Sequence, residues 1–343
     1  MKIFSSLFFV LAFIISASAQ KEITVEDIWK DYTFYAKSVP GFNFMKDGKH
    51  YTRLQENTIK RYDLTTGEFV NDILSGEQIK DKSGFGGTIS SYRFSDDESK
   101  IMIKSESQQI YRRSSKAKFH VYDVASGKLM SIWDNEGMIG YATFDPTAEK
   151  VAFTHENDLY YKNLKSGKTV RITEDGSKNK IINGSTDWVY EEEFSFAKAF
   201  FWSSEGTKIA FIRFDEEAVR EFTMTRYEDD LYPVYETFKY PKVGEKNAKV
   251  SAHVYSLKED KKKMVDVGIL DDMYIPRLKW TQEDNKLVVF KMNRHQNDLT
   301  LYLHDTKKDD TKILLNEKNK YYIDITDNLT FLKDKKHFVW TSE

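Results

Sequence analysis

The sequence predicts an all-β protein: a β-propeller of four-stranded blades, incomplete in this chain, with about five blades and the start of a sixth. Three observations carry that prediction. One short phrase recurs about every fifty residues, a second phrase with the marks of a hairpin falls between its copies, and the composition favours strands. The chain holds 24 Phe, 20 Tyr and 6 Trp beside only 5 Pro, and aromatic residues suit the half-buried, pleated surface of a sheet.

The first phrase is an aromatic, a polar turn with Asp or Glu, a Lys, then alternating apolar residues. It reads FNFMKDGKHY from Phe42, YRFSDDESKIMI from Tyr92, ATFDPTAEKVAF from Ala142, FFWSSEGTKIAF from Phe200, LKWTQEDNKLVVF from Leu278 and LTFLKDKKHFVW from Leu329. Its anchoring aromatics, Phe44, Phe94, Phe144, Trp202, Trp280 and Phe331, lie 50, 50, 58, 78 and 51 residues apart. The second phrase reads KRYDLTTGEFV from Lys60, FHVYDVASGKLM from Phe119, LYYKNLKSGKTVRIT from Leu159 and LYLHDTKKDDTKILL from Leu301. Each copy is two strands about a polar turn, usually with Gly, which is a hairpin signal. Two hairpins per repeat make four strands in roughly 40–50 residues, the blade of a propeller. Period-2 alternation in KIAFIRF and KLVVFKM excludes a helical solenoid, and a β-sandwich does not need the same phrase six times.

The N-terminal stretch is read apart from the fold. Lys2 gives a short positive region, Ile3 to Ile15 is almost wholly apolar, and Ala17-Ser18-Ala19 offers small residues for cleavage after Ala19. Residues 1–19 are thus expected to be a signal peptide, with 20–343 an exported propeller domain, periplasmic or secreted. The apolar run is too short to span a bilayer comfortably and Gln20 is not Cys, so no membrane span and no lipid anchor are expected after cleavage.

Cysteine is absent, which removes thiol nucleophiles, thiolate metal sites and redox motifs. With 52 Lys and Arg against 54 Asp and Glu, no basic tract points to nucleic acid. The seven histidines, His50, His120, His155, His253, His295, His304 and His337, are dispersed and form no H-E-x-x-H. Each is expected at a strand end or on the surface, and neither a metal nor a cofactor is called for. Gly84-Phe85-Gly86-Gly87 lacks the Lys-Ser/Thr of a phosphate loop and reads as a connection between blades.

Two intervals are too long for the repeat. Before Trp202 lies DWVYEEEF, Asp187 to Phe194, which sets three carboxylates side by side between aromatics. Like charges this close repel, and a folded site that holds them needs a cation to meet them. The preceding Asn183-Gly184-Ser185-Thr186 has turn and N-cap chemistry, which places Glu191, Glu192 and Glu193 on a short helical turn packed down by Trp188, Val189, Tyr190 and Phe194. After Phe211 comes a second excursion that includes Arg220 to Gly244. Insertions on a repeat scaffold map to one rim and carry function. The sequence stops on VWTSE, early in the sixth blade, so the chain is expected to be part of a longer protein.

DWVYEEEF, followed by FFWSSEGTKIAFIRFDE and LYPVYETFKYPKVGEKN, resembles the propeller half of the dipeptidyl peptidase IV family, serine exopeptidases of the prolyl oligopeptidase type, in a bacterial periplasmic form. The similarity runs from about Ile23 to the last residue. The resemblance implies that Glu192 and Glu193 hold the free α-ammonium of a peptide substrate, and that Arg112, with Arg113 as the neighbouring alternative, orients the first carbonyl and the glutamate pair. It implies substrates with Pro or Ala at the second position, and dimerisation partly through Arg220 to Gly244. An ammonium has three donors, and charge-assisted bonds to carboxylates are the strong class. The family cleaves with a Ser-Asp-His triad on a C-terminal α/β-hydrolase domain, whose serine lies in a G-x-S-x-G elbow. No G-x-S-x-G occurs here, so no catalytic residue is expected in this chain and it is expected to be inactive alone. The rival expectation is a non-catalytic periplasmic propeller that binds peptides or proteins.

Overall fold

The computed structural model describes residues 22–36, 38, 41–268 and 271–342, and the expected signal peptide lies outside them. Two compact units are distinguished among them, the first ending at Asn43 and the second opening at Phe44. In the first, the helix Val25–Trp29 opens on a capping box: the Thr24 hydroxyl accepts from the Asp27 N–H at 3.1 Å while the Asp27 carboxylate accepts from the Thr24 N–H at 3.1 Å. This satisfies two groups that a helix start otherwise leaves open.

In the second unit the repeated phrase has a repeated geometry. Each anchoring aromatic closes a short strand, as in Ser91–Phe94, Ile139–Phe144, Phe200–Trp202 and Met273–Trp280. The backbone N–H of the next residue then donates to the carbonyl five positions on: Met45 to His50, Ser95 to Lys100, Asp145 to Lys150, Ser203 to Lys208, Thr281 to Lys286 and Leu332 to His337, all at 2.9–3.0 Å. The tight turn requires a left-handed residue, which Gly48 and Gly206 supply at φ 66° and Ala148 at φ 57°. The polar residue of the phrase caps the strand that follows: the buried Asp145 carboxylate accepts from the N–H groups of Glu149 and Lys150 at 2.9 and 2.7 Å and from Lys150 Nζ at 2.9 Å.

Five blades and the first hairpin of a sixth result. Their outer strands follow in order, for example Lys286–Asn293, Asp298–Asp305 and Asp310–Lys318, each antiparallel to the one before. Alternate residues of one strand belong to different cores. Val151 and Phe153 pack with the preceding blade, around Val121 and Ile132, whereas Ala152 packs with the following one, around Phe200 and Phe211. Along Lys208–Asp215, Ile209 and Phe211 face back, and Ala210, Ile212 and Phe214 face forward to Leu287 and Val289. Period-2 alternation with both faces apolar is what stacking blades on both sides demands.

Two departures from the blade plan position the site. The strands Lys100–Gln109 and Ser115–Asp123 outrun their blade past a register shift between Ser105 and Gln108, and Lys116 and Ala117 then pair with Gly140 and Ile139 of the next blade, joining two blades in one sheet. The tip of this long hairpin is Ile110 to Ser114. Residues 221–239 form a two-stranded arm, Glu221–Arg226 against Val234–Lys239, with no other strand among the described residues paired to it. The glycines at 84–87 connect the first and second blades, with Phe85 buried among Ile59, Leu74 and Ile101.

The expectation for the histidines is corrected. His253 lies mid-strand and half-buried, His120 lies mid-strand and buried, and His304, also buried, keeps the expected place at a strand end. Each of the two buried rings has a fixed partner that makes burial tolerable: His120 Nε2 meets the Ser83 carbonyl at 3.1 Å, and His304 Nδ1 meets Thr311 Oγ1 at 2.9 Å. Burial holds both below the ordinary histidine range.

Candidate functional site

The segment DWVYEEEF is the tip of an excursion whose stem is strand-like. Ile181–Asn183 pairs with Asp215 to Arg213, Thr186 N–H donates to the Ala197 carbonyl at 3.1 Å, and Ala199 N–H donates to Gly184 at 2.9 Å. The helix Trp188–Glu193 spans the tip. Its cap is Asp187, one residue beyond the expected Asn183 to Thr186, and the Asp187 carboxylate accepts from the Tyr190 N–H at 2.9 Å. Burial pushes the Asp187 carboxyl up to about 6, against the lowering effect of that bond.

Tyr190 fastens the helix to the scaffold. Its ring lies 4.8 Å from Phe214 and 5.0 Å from Phe194, centroid to centroid, and its hydroxyl accepts the Ile275 N–H at 2.8 Å. That N–H falls where the strand Met273–Trp280 loses register with its neighbour, between Tyr274 and Arg277. The phenol therefore takes up a donor the sheet leaves open, and burial pushes its pKa well up.

The three glutamates do not act as one cluster. Adjacent positions on a helix point about 100° apart, and the side chains accordingly fan into three environments. Glu191 is 0% exposed, and its Oε1 accepts the backbone N–H groups of Arg113 and of Ser114, the latter at 2.8 Å. Its Oε2 is buried without a hydrogen-bond partner among the described residues. Glu192 Oε2 meets Arg112 Nε at 3.2 Å, with the two side chains 19% and 72% exposed. Glu193 is exposed and takes no hydrogen bond or ion pair among the described residues.

The structure thus brings Arg112 to Glu192 across the hairpin tip. Arg113, the alternative, donates from Nη2 to Ser195 Oγ at 3.3 Å, so the two arginines are assigned different partners. An exposed ion pair contributes only about 0–1 kcal/mol. The buried bonds from two N–H groups to the Glu191 carboxylate, about 1.5–3 kcal/mol each for a charged acceptor, do more to hold the tip on the helix.

The base of the arm closes the other side. Phe238 lies 5.6 Å from Tyr111, and Tyr240 lies 4.2 Å from Trp188, ring to ring. Between them opens a cleft of about 870 Å³, lined among others by Tyr111, Asp187, Trp188, Glu216, Phe238 and Lys239. Burial first, then the charge of Asp187, pushes the Glu216 carboxyl up to about 7, with Lys239 opposing. Sequence reasoning missed Glu191 as a buried acceptor, Ser114 as its partner, and Glu216. Only the position of Glu191 within an amphipathic turn, next to Tyr190, could have pointed inward.

The comparisons agree with this architecture. The family model for the dipeptidyl peptidase IV (DPP IV) N-terminal region matches residues 95–343. Dipeptidyl aminopeptidase B of Saccharomyces cerevisiae is 34% identical over 287 residues, which is 78% of this chain and 33% of that protein. Bovine prolyl endopeptidase FAP is 27% identical over 299 residues, 85% of this chain and 38% of that protein. The crystal structure of Porphyromonas gingivalis dipeptidyl peptidase 4 superposes with a TM-score of 0.84 at 35% identity, over 92% of this chain and 45% of that one. The chain therefore spans about a third of the length of these curated relatives. On the family match, the shared blades and the identity to these peptidases, the chain belongs to the dipeptidyl peptidase IV N-terminal region family.

Proposed function

We propose that this chain is the substrate-gating propeller portion of an exported dipeptidyl peptidase IV-like serine exopeptidase. Glu192 and Glu193 anchor the free α-ammonium of a peptide, Arg112 orients the pair and the first carbonyl, and an X-Pro or X-Ala dipeptide is released by a C-terminal α/β-hydrolase domain carrying the Ser-Asp-His triad. The observation that carries the reading is the Arg112–Glu192 contact at 3.2 Å, made between residues eighty positions apart. Glu192 is half-buried beside a cation and Glu193 is open to solvent one residue on, an arrangement in which an incoming ammonium could bridge both. The names of the relatives, two dipeptidyl peptidases and a prolyl endopeptidase, support peptides as the substrate class. The signal peptide over residues 1–19, with cleavage after Ala19, belongs to the same proposal, as does a homodimer contact through Arg220 to Gly244.

In the full-length enzyme, Glu192→Ala or Glu193→Ala lowers kcat/KM on a Gly-Pro anilide by at least about a hundredfold, since once bound substrate shuts out water, truncating one partner of the ammonium–carboxylate contact costs on the order of 2–5 kcal/mol. Wild-type turnover by either variant, or a reading frame that meets a stop codon before any G-x-S-x-G, overturns the proposal.

A further inference from the structure

We propose that Glu191 is the positioning residue that sets Arg112 against Glu192, working as a buried acceptor and not as a third carboxylate for the ammonium. The inference rests on the amine-anchoring reading above and assigns a separate task to the first glutamate of the string.

Complete burial puts the Glu191 carboxylate out of reach of a ligand on the rim. What it does reach is the node of the hairpin tip. Ser114 closes that tip twice, its carbonyl accepting from the Ile110 N–H at 2.9 Å and its hydroxyl from the Tyr111 N–H at 3.0 Å. The N–H groups of Arg113 and Ser114 point the other way, both to Glu191 Oε1. Arg112 precedes this tether by one residue, and Glu192 follows it by one. Binding the tip to Glu191 therefore fixes the two backbones side by side, and the long, exposed Arg112 side chain needs only to close the remaining gap. Because Oε2 has no partner among the described residues, the task falls on a single acceptor oxygen, which an amide can replace. The side chain of Tyr141, close enough to feel the Glu191 charge, has its phenol kept protonated by burial first and by that charge second, which fits a carboxylate enclosed by protein.

Steady-state kinetics on the full-length peptidase with a Gly-Pro anilide test this. Misplacing a binding group by about 1 Å can cost a factor of 10², so Glu191→Ala is expected to raise KM by about ten- to a hundredfold while kcat changes by less than about threefold. Glu191→Gln, which keeps an oxygen acceptor, is expected to stay within about threefold of wild type. The double variant Arg112→Ala/Glu191→Ala is expected to be no worse than Arg112→Ala alone, because both remove the same contact. Glu191→Asp, shorter by one methylene, serves in place of the alanine variant if that chain fails to fold, with the same expected rise in KM. A wild-type KM for the folded alanine or aspartate variant, a glutamine variant as damaged as alanine, or full additivity with Arg112→Ala overturns the inference. If Arg112→Ala and Glu192→Ala both keep the wild-type KM, the amine-anchoring reading falls and this inference falls with it. If they raise KM and Glu191→Ala does not, only the inference falls.

Discussion

Two excursions leave the scaffold within forty residues of one another and are held in opposite ways. The first, 184–199, is secured along its length: its stem continues a blade edge, its helix is capped by Asp187, Tyr190 bonds to a strand of the next blade, and Glu191 grips the neighbouring hairpin. The second, 220–240, is secured at its base by Phe238 and Tyr240, with Asn179 donating to Glu221 and Arg220 meeting Glu245, and beyond that base it is a two-stranded ribbon. Its tip leaves Tyr227, Leu231 and Tyr232 exposed. The contrast teaches how one scaffold yields two kinds of surface. Buried polar bonds fix side chains to the tolerance that recognition of a small charged group requires. A ribbon whose tip exposes Tyr227, Leu231 and Tyr232 beside Glu228, Asp229 and Asp230 offers area without fixed geometry, which suits contact with another protein surface.

The largest effect that can break the comparison lies at Tyr190. Removing a buried aromatic of this size costs about 3–5 kcal/mol, and Tyr190→Ala is expected to lower the melting temperature more than any substitution in the arm. Tyr190→Phe keeps the ring and deletes only the acceptor for Ile275 N–H, an unsatisfied buried donor that costs about 1–3 kcal/mol. A phenylalanine variant that melts with wild type would show that water or the sheet takes up the Ile275 N–H, and the first excursion would be held by packing alone.

A smaller effect sharpens the seam between the two excursions, where Glu216 lies in the cleft with Asp187 and the arm base. Its carboxyl is raised from about 4.5 to about 7 by burial and by Asp187. A raised pKa means that the folded state holds the proton more tightly than the unfolded one. The associated stability is fully present below about pH 4.5 and is lost as pH rises through about 7. Asp187, raised from 3.8 to about 6, acts in the same sense over a lower window. Glu216→Gln, a neutral mimic of the protonated acid, is expected to flatten the decline of melting temperature between pH 5 and pH 8 and to melt about 2–4 °C higher than wild type at pH 8. An unchanged slope would mean that Lys239 pairs with Glu216 well enough to keep it ionised.

The sequence made the blades legible for a physical reason. A repeat leaves a period, and the aromatic-turn-Lys phrase encodes a local turn whose hydrogen bonds join residues no more than five apart, so Phe44 to Phe331 could be aligned before any contact was known. The helical placement of Glu191 to Glu193 was legible from the turn residues Asn183 to Thr186 and the aromatics around the glutamates, although the cap itself is Asp187. The division of labour among the three glutamates was not, because it depends on a hairpin tip more than seventy residues away. Nor were the buried His120 or the raised Glu216, since burial of a polar side chain is decided by what another segment lays over it. The extension of Lys100–Gln109 beyond its blade has no period to announce it, and it is this extension that delivers Arg112.

The smallest expected effect on stability lies at the tip of the arm. Leu231 and Tyr232 are among its most exposed residues, and exposed side chains away from caps, cores and buried pairs shift stability by no more than about 0.5 kcal/mol. Leu231→Ser/Tyr232→Ser should therefore leave the melting temperature of dilute full-length protein unchanged. Association is another matter, because these two side chains, with Tyr227, Tyr235 and Val243, make up much of the exposed apolar area of residues 220–244, and each buried side chain of this size contributes about 1.5–3 kcal/mol to an interface. On the proposed homodimer contact, sedimentation of the double serine variant is expected to show weaker association than wild type at equal concentration. A dimer of unaltered strength would remove the tip from the contact, and wild-type protein that sediments only as monomer would remove the contact itself. A fall in melting temperature without a change in association would mean that the tip packs on its own protein, and the opposition between a tethered helix and a free ribbon would fail.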